Sequence, residues 1–111
     1  MGELRMTPVF FHLLLSLWDG AKHGYALMQE VGERTEGRIR LGPGSLYYAL
    51  GRLEEEGLIE ESAGSGKEAE APHAERRRYY RLTRAGRKRL REETTLLADI
   101  VAHARMRHLI G

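Results

Sequence analysis

The side chains of this 111-residue chain that are best suited to chemistry are arginines, lysines, tyrosines and a serine, several of them close to glycine. The chemistry that they suit is the binding of a polyanion. Guanidinium, ammonium and hydroxyl groups donate hydrogen bonds to phosphate oxygens, and the free N–H groups at the start of a helix favour anions. The candidate contacts to a polyanion are Lys22, Tyr25, Arg40, Gly44, Ser45, Tyr47, Tyr48, Arg52, Lys67, Arg76, Arg77 and Arg78.

Positive charge is concentrated in the last third of the chain. The net charge is +2, but residues 1–75 hold 7 Lys and Arg against 13 Asp and Glu, whereas residues 76–111 hold 11 against 3. A basic segment of this kind is typical of a protein that binds a polyanion, and a solvated basic helix is the alternative. The charged fraction of 31% also fits a small domain with much surface, one that completes its core by dimerising.

The patterns of known enzyme and metal sites are missing from the sequence. Gly42-Pro43-Gly44-Ser45 lacks the third glycine of a dinucleotide loop, and Gly66-Lys67 is not followed by Ser or Thr as a P-loop requires. The chain contains no cysteine, and its histidines do not have the spacing of metal ligands. The sequence therefore predicts neither an enzyme nor a bound metal or cofactor.

The longest apolar run, Val9 to Trp18, is about half as long as a membrane span requires. It leads into Asp19 and Gly20 without the small-residue pattern of a signal-peptide cleavage site. A cytoplasmic protein with no membrane partner is the expectation.

Three helical patterns would position the candidate contacts. Apolar residues recur at helical spacing from Pro8 to Trp18 and again from about Gly24 to Thr35. A third helix begins at Pro43, a favourable first helical position, and ends at the glutamates before Gly57. In this third helix the residues on the predicted core face are Leu46, Ala49, Leu50 and Leu53.

The strands predicted from the sequence are short. Ile39 to Leu41 alternates as a short strand would, and Leu58 to Glu61 and Arg78 to Leu82 form a hairpin around a loop that is rich in glycine and serine. This order predicts a mainly α fold with a small β-hairpin: a winged helix-turn-helix over residues 1–83, followed by a C-terminal dimerisation helix over residues 84–111 in one compact unit.

The last helix is predicted to run from the Thr83 cap to about Leu109, which is too long for so small a domain to bury. Apolar residues recur along it at spacings of four and three, a weak heptad seam that suggests a homodimer. Packing onto the first helix of the same chain is the alternative, and the two are compatible. The predicted interface comprises Phe10, Leu14, Leu90, Leu97, Val101, Ala104 and His108.

Three motifs in order span about residues 10–90. They are Leu15…Gly20-x-x-His23-Gly24-Tyr25, then Gly44-Ser45-Leu46-Tyr47-x-Ala49-Leu50-x-Arg52-Leu53-Glu54-x-x-Gly57-Leu58-Ile59, and Arg77-Arg78-x-Tyr80-x-Leu82-Thr83-x-x-Gly86. At these residues the chain closely resembles the PadR-like bacterial transcriptional regulators. The resemblance implies a homodimeric winged-helix repressor that binds a near-palindromic operator and releases it when an effector binds. The chain departs from the family at Tyr48, where many members carry proline, and at Trp18, where the residue is often small.

Within a winged helix, the first half of the Pro43 helix would enter the major groove, where Tyr47 and Tyr48 reach phosphate or a thymine methyl and Arg52 reaches guanine or phosphate. A core position is the alternative for either tyrosine. Lys22 and Tyr25 would contact phosphate, and packing is an equal alternative for Tyr25. Arg40 would support the wing.

The wing contributes Lys67 and a run of arginines. Because side chains alternate along a strand, Arg76 and Arg78 would share the face towards DNA, whereas Arg77 points the other way. Each could instead be a solvated charge.

Trp18 is a candidate for lining an effector pocket, since flat aromatic ligands stack on indole. A core or interface tryptophan is the alternative. For the whole chain, the rival hypothesis is a winged-helix interaction module that does not bind DNA, and RNA binding is a lesser one.

Overall fold

The computed structural model describes residues 4–62 and 78–111. Their fold combines four helices with a small antiparallel sheet. The helices are α1 (Pro8–Ser16), α2 (Gly24–Arg34), α3 (Pro43–Glu55) and α4 (Arg84–Met106), and the strands are β1 (Lys22–His23), β2 (Ile59–Ser62) and β3 (Tyr79–Leu82). This is the predicted winged helix with a C-terminal helix, with one additional strand.

Local capping explains where the helices begin. The Thr7 hydroxyl accepts a hydrogen bond from the Phe10 N–H at 3.3 Å, and Pro8 occupies the first turn of α1. Thr83 caps α4 through the Gly86 N–H at 3.0 Å. Its hydroxyl also donates to the Gly57 carbonyl at 2.6 Å, so that one side chain joins the end of the wing to the end of α3.

One core holds the elements together. Leucine-rich faces of the four helices meet the inner face of the sheet, and burial of this apolar surface drives the packing. The buried residues of this core are Leu4, Leu13, Leu14, Leu17, Leu27, Val31, Leu46, Ala49, Leu50, Leu53, Leu58, Ile59, Tyr80, Leu82 and Leu90.

The sheet differs from the predicted two-stranded hairpin. Its strand order is β1-β3-β2, and Lys22 and His23 pair with Tyr80 and Tyr79. The prediction of a strand at residues 39–41 was wrong. The Thr35 hydroxyl accepts from the Ile39 N–H at 3.0 Å, which folds this segment into a turn after α2.

α4 runs back along α1: Arg87 and Arg91 lie over Trp18 just after the end of α1, and Leu97 lies beside Pro8 and Phe11 near its start. Gly86 brings α4 against β2, since a Cβ there would lie 2.0 Å from the Leu58 carbonyl oxygen. Leu14 and Leu90 were predicted at a dimer interface, but both are buried in the core of the single chain, where α4 packs on α1. Their position corrects that assignment.

The far end of α4 also differs from the prediction. The helix ends at Met106 rather than about Leu109, and His108 has a φ of +62°, which α-helical backbone does not adopt.

Candidate nucleic-acid interface

The outer face of α3 carries a polar stripe. Ser45, Tyr48 and Arg52 lie three and four residues apart, so they share one side of the helix, opposite the buried leucines. Tyr48 is 68% exposed. Within the described residues, the Arg52 guanidinium makes no hydrogen bond and remains available for an external partner.

The start of α3 is ordered by its own residues. The Ser45 hydroxyl accepts from the Gly42 N–H at 3.1 Å, and Pro43 fixes the first turn. Gly44 is exposed and lies within this turn. The N-terminus of a helix attracts anions because its N–H groups point outwards with the positive end of the helix dipole.

Two further tyrosines lie beside this stripe. Tyr47 is 47% exposed, and its ring lies against Gly24 at the start of α2. Tyr25 is 68% exposed on the same turn of α2. Tyr47 therefore lies at the contact between α2 and α3, and Tyr25 follows Gly24 on α2 with its side chain exposed.

Lys22 lies in a different environment from the predicted one. Its ammonium donates to the Ser16 carbonyl at 2.6 Å, to Asp19 at 3.1 Å and to both carboxylate oxygens of Glu30 at 2.9 and 2.8 Å. Burial lowers the pKa of Lys22, but the hydrogen bonds to Glu30 and Asp19 outweigh it and raise that pKa above its usual value. The ammonium joins α1 to α2 and is turned away from an external phosphate.

Arg40 also turns back onto its own chain. Its Nε donates to the Gly37 carbonyl at 3.2 Å, in the turn that replaces the predicted strand. The side chain is exposed and lies between α2 and α3, so the predicted support of the wing does not follow from its position.

Acidic residues on the first strand of the wing are paired with basic residues on the second. Arg81 Nε lies 2.8 Å from Glu60, and Arg78 Nε lies 3.5 Å from Glu61. The pKa of Arg78 is raised by its hydrogen bond with Tyr80 and then by the charge of Glu61. The predicted contacts Lys67, Arg76 and Arg77 lie outside the described residues.

Trp18 borders an open groove of about 440 Å³ between α1 and α4. The guanidinium carbons of Arg87 and Arg91 lie 4.9 and 5.1 Å from the centre of the Trp18 ring, within the range of cation–π attraction. Sequence reasoning missed both arginines, although their spacing of four residues places them on one helix face. Leu15, Leu90, Arg91, Thr94 and Thr95 line the rest of the groove.

The second half of α4 exposes apolar side chains. Leu97 is 46% exposed and Val101 37%, with Ala104 half-buried beside them and Leu96 and Ile100 on the flank. Phe10 is half-buried against the core, and His108 is exposed beyond the end of the helix. A contiguous apolar surface of this kind marks an interaction site.

The part of the chain that the structure describes has neither a membrane-spanning helix nor a metal-binding cluster. No helix among residues 4–62 and 78–111 is long and apolar enough to cross a membrane. The same residues contain no group of three or more His, Cys, Asp and Glu side chains arranged to hold a metal ion.

Comparison with known proteins gives a consistent result. The model of the transcriptional regulator PadR-like family matches residues 13–92. Transcriptional regulator Rv3488 of Mycobacterium tuberculosis is 34% identical over 100 residues, which are 90% of this chain and 85% of that protein. An uncharacterized 37.1 kDa protein in transposon TN4556 of Streptomyces fradiae is 41% identical over 97 residues, which are 87% of this chain but only 25% of that protein.

A solved structure shares the fold. The crystal structure of a PadR family transcription regulator from Clostridium difficile superposes with a TM-score of 0.71 over 90% of this chain and 97% of that one, at 21% identity.

Proposed function

Because the chain belongs to the PadR-like family of transcriptional regulators, we propose that it represses transcription by binding a near-palindromic DNA operator as a homodimer and releases that operator when an effector binds. The family is one of transcriptional regulators rather than enzymes.

The stripe of exposed Ser45 and Tyr48 and half-buried Arg52 on the outer face of α3 is the observation that supports DNA reading. A helix of this width fits the major groove, and an unpaired arginine on its outer side reaches the O6 and N7 atoms of guanine. Gly44, Tyr25 and Tyr47 are the accompanying contacts to phosphate in this proposal. Lys22 and Arg40 are left out because their cationic groups are held by internal partners.

The wing supplies contacts that do not depend on sequence. Arg78 at the base of the wing binds the DNA backbone in this proposal, together with Lys67, Arg76 and Arg77 further along the loop. Such contacts set affinity and its salt dependence.

The apolar surface of α4 supports the homodimer. Leu97 and Val101 are exposed on the second half of α4 and Ala104 is half-buried there, so the single chain leaves apolar surface accessible. A second copy would bury them, and a dimer presents two reading helices to the two halves of a palindrome.

The groove beside Trp18 is the proposed effector site, and it would take a small aromatic ligand against the apolar side chains of Leu15 and Leu90. Its position between α1 and α4 would let a ligand change how the dimerisation helix meets the DNA-binding part. A regulator acting on bacterial DNA works in the cytoplasm, which is where the proposal places this protein.

An interaction module without DNA binding remains the second candidate. Five glutamates, at 54, 55, 56, 60 and 61, follow the reading half of α3 and would repel phosphate wherever they face it. They favour a basic protein partner under that hypothesis.

Selection from random DNA duplexes with the purified protein, at near-physiological salt, tests the proposed function. We expect enrichment of an inverted repeat with half-sites about one helical turn apart, and an affinity that falls steeply with salt. Failure of a folded, dimeric protein to enrich any sequence or to bind random duplex would contradict the proposal and favour the interaction module.

A further inference from the structure

The cationic group at the base of the wing has an acidic partner before any DNA is present. Arg78 Nε lies 3.5 Å from Glu61 Oε1. Glu61 pairs across the sheet with Tyr80, which is only 1% exposed, so buried backbone neighbours hold the strands that carry the pair. Arg78 and Glu61 side chains are themselves 68% and 52% exposed, so that solvent and an incoming phosphate reach the pair.

A carboxylate and a DNA phosphate use the same chemistry towards arginine, since both offer anionic oxygens to its N–H groups. We propose that Glu61 competes within the molecule with DNA phosphate for Arg78 and thereby limits how tightly the wing holds DNA. This inference rests on the proposed function. It assigns to Glu61 a regulatory role at the same interface.

The consequence is a weaker and less salt-dependent hold on DNA. When phosphate takes Arg78, Glu61 loses its partner, and this loss offsets part of the gain from the new contact. An exposed pair of this kind changes an equilibrium constant by about 1.5- to five-fold. A regulator whose wing is restrained in this way leaves DNA more readily, because contacts to the backbone hold it on every sequence.

Glu61→Gln tests the proposal, since it removes the charge and keeps the shape. The protein is titrated with a random duplex and with the duplex enriched by selection, at salt concentrations from about 50 to 200 mM. We expect affinity for both duplexes to rise by about 1.5- to five-fold, and the slope of log affinity against log salt to become steeper by up to about 0.9.

Glu60→Gln is the matched control. Glu60 is the neighbouring residue of β2, loses the same charge on substitution, and is paired with Arg81, which is not among the proposed DNA contacts. We expect it to leave the salt slope as in the unsubstituted protein. Equal effects of Glu60→Gln and Glu61→Gln would overturn the inference.

The two substitutions Glu61→Gln and Arg78→Gln are then combined. If Glu61 acts by holding Arg78, Glu61→Gln has no effect on affinity or slope once Arg78 is replaced. An undiminished effect in the Arg78→Gln background would mean that Glu61 simply repels DNA, and would overturn the inference while leaving the proposed function in place. A protein that binds neither duplex in any variant would instead overturn the proposed function, and the inference with it.

Discussion

The ring of Tyr47 lies against the α-carbon of Gly24, so closely that a Cβ on Gly24 would be 2.8 Å from Tyr47 Oη and 3.1 Å from Cζ. Gly24 is the first residue of α2, and Tyr47 belongs to the first half of α3. The absence of a side chain at Gly24 therefore leaves room for the Tyr47 ring at the contact between the two helices of the helix-turn-helix.

Gly24→Ala should displace the Tyr47 ring from the start of α2. We expect a loss of about 1 kcal/mol in the free energy of unfolding, because the added methyl group overpacks the contact, and a several-fold loss of operator affinity as Tyr47 moves. Chemical denaturation and DNA titration measure the two effects. Combining Gly24→Ala with Tyr47→Phe removes the atom nearest to the new methyl group and should restore part of the lost stability. Operator affinity should stay reduced, because the hydroxyl that is proposed to contact phosphate is removed as well.

Gly32→Ala is the control for that pair, since nothing lies within 4 Å of a Cβ at Gly32 in the same helix. It should stabilise the protein by about 0.5–1 kcal/mol, because alanine favours helix over glycine. A Gly24→Ala variant that behaved like Gly32→Ala would contradict the role of the contact.

Gly86→Ala should be far more damaging. A Cβ at Gly86 would lie 2.0 Å from the carbonyl oxygen of Leu58, a backbone atom that has no rotamer to change. Either α4 or the start of the wing must move, and we expect a loss of about 3 kcal/mol or more by chemical denaturation. Gly51→Ala, in open space on α3, should not destabilise. Similar unfolding midpoints for the two variants would show that α4 does not approach β2 this closely.

The sequence predicted those parts of the fold that local signals determine. Pro43 and Gly57 mark the ends of α3 by their backbone preferences, and the structure confirms a helix there. The strand β1 was missed because it has only two residues, and its pairing partners Tyr79 and Tyr80 are far away in sequence. No local pattern reports such a contact.

Side-chain environments were less predictable for the same reason. Periodicity identifies an apolar face but does not tell whether the same chain or a second copy covers it, and Leu14 turned out to be covered by its own chain. Lys22 looked free in sequence, whereas Ser16 and Glu30 hold its ammonium across two helices. The remaining candidate DNA contacts stay predictions.

Arg52→Ala should weaken binding to the selected operator by about 1–3 kcal/mol and change binding to random duplex much less, because a contact with a base edge is lost only where that base is present. Fluorescence anisotropy with both duplexes measures the difference. Arg84→Ala removes the same charge from an exposed position at the start of α4 and is the control. Equal losses on operator and random duplex would assign Arg52 to phosphate rather than to a base.

The stability of the protein should fall as the pH drops below the pKa of a free histidine side chain. Burial lowers the pKa of His12, and the neighbouring charge of Arg34, whose Nη1 lies 3.3 Å from His12 Nδ1, lowers it further. The folded protein thus holds this proton more weakly than the unfolded chain, whose pKa is about 6.5. The stability that neutral His12 contributes is complete above about pH 6.5, and it is lost as the pH falls towards the lower pKa of the folded state.

His12→Gln should flatten this dependence. Urea denaturation between about pH 5 and 7 should show a smaller change in the free energy of unfolding than in the unsubstituted protein. His103→Gln replaces an exposed histidine of α4 and should preserve the original slope. An unchanged slope in His12→Gln would show that another group titrates in this range.

Val101→Asp should convert the proposed dimer into monomers. Val101 is 37% exposed on the second half of α4, so the single chain tolerates a carboxylate there, whereas a buried unpaired charge in the proposed interface is strongly unfavourable. Sedimentation velocity should show the mass of a monomer. The thermal melt should remain that of a folded helical protein. Ala102→Asp places the same charge about 100° further round the helix, away from Leu97 and Ala104, and should leave the dimer intact.

The monomer should bind an operator half-site with much lower affinity, since the second reading helix is no longer tethered to the first. A Val101→Asp protein that stays dimeric would place the interface on another surface and remove the support that α4 gives to the homodimer.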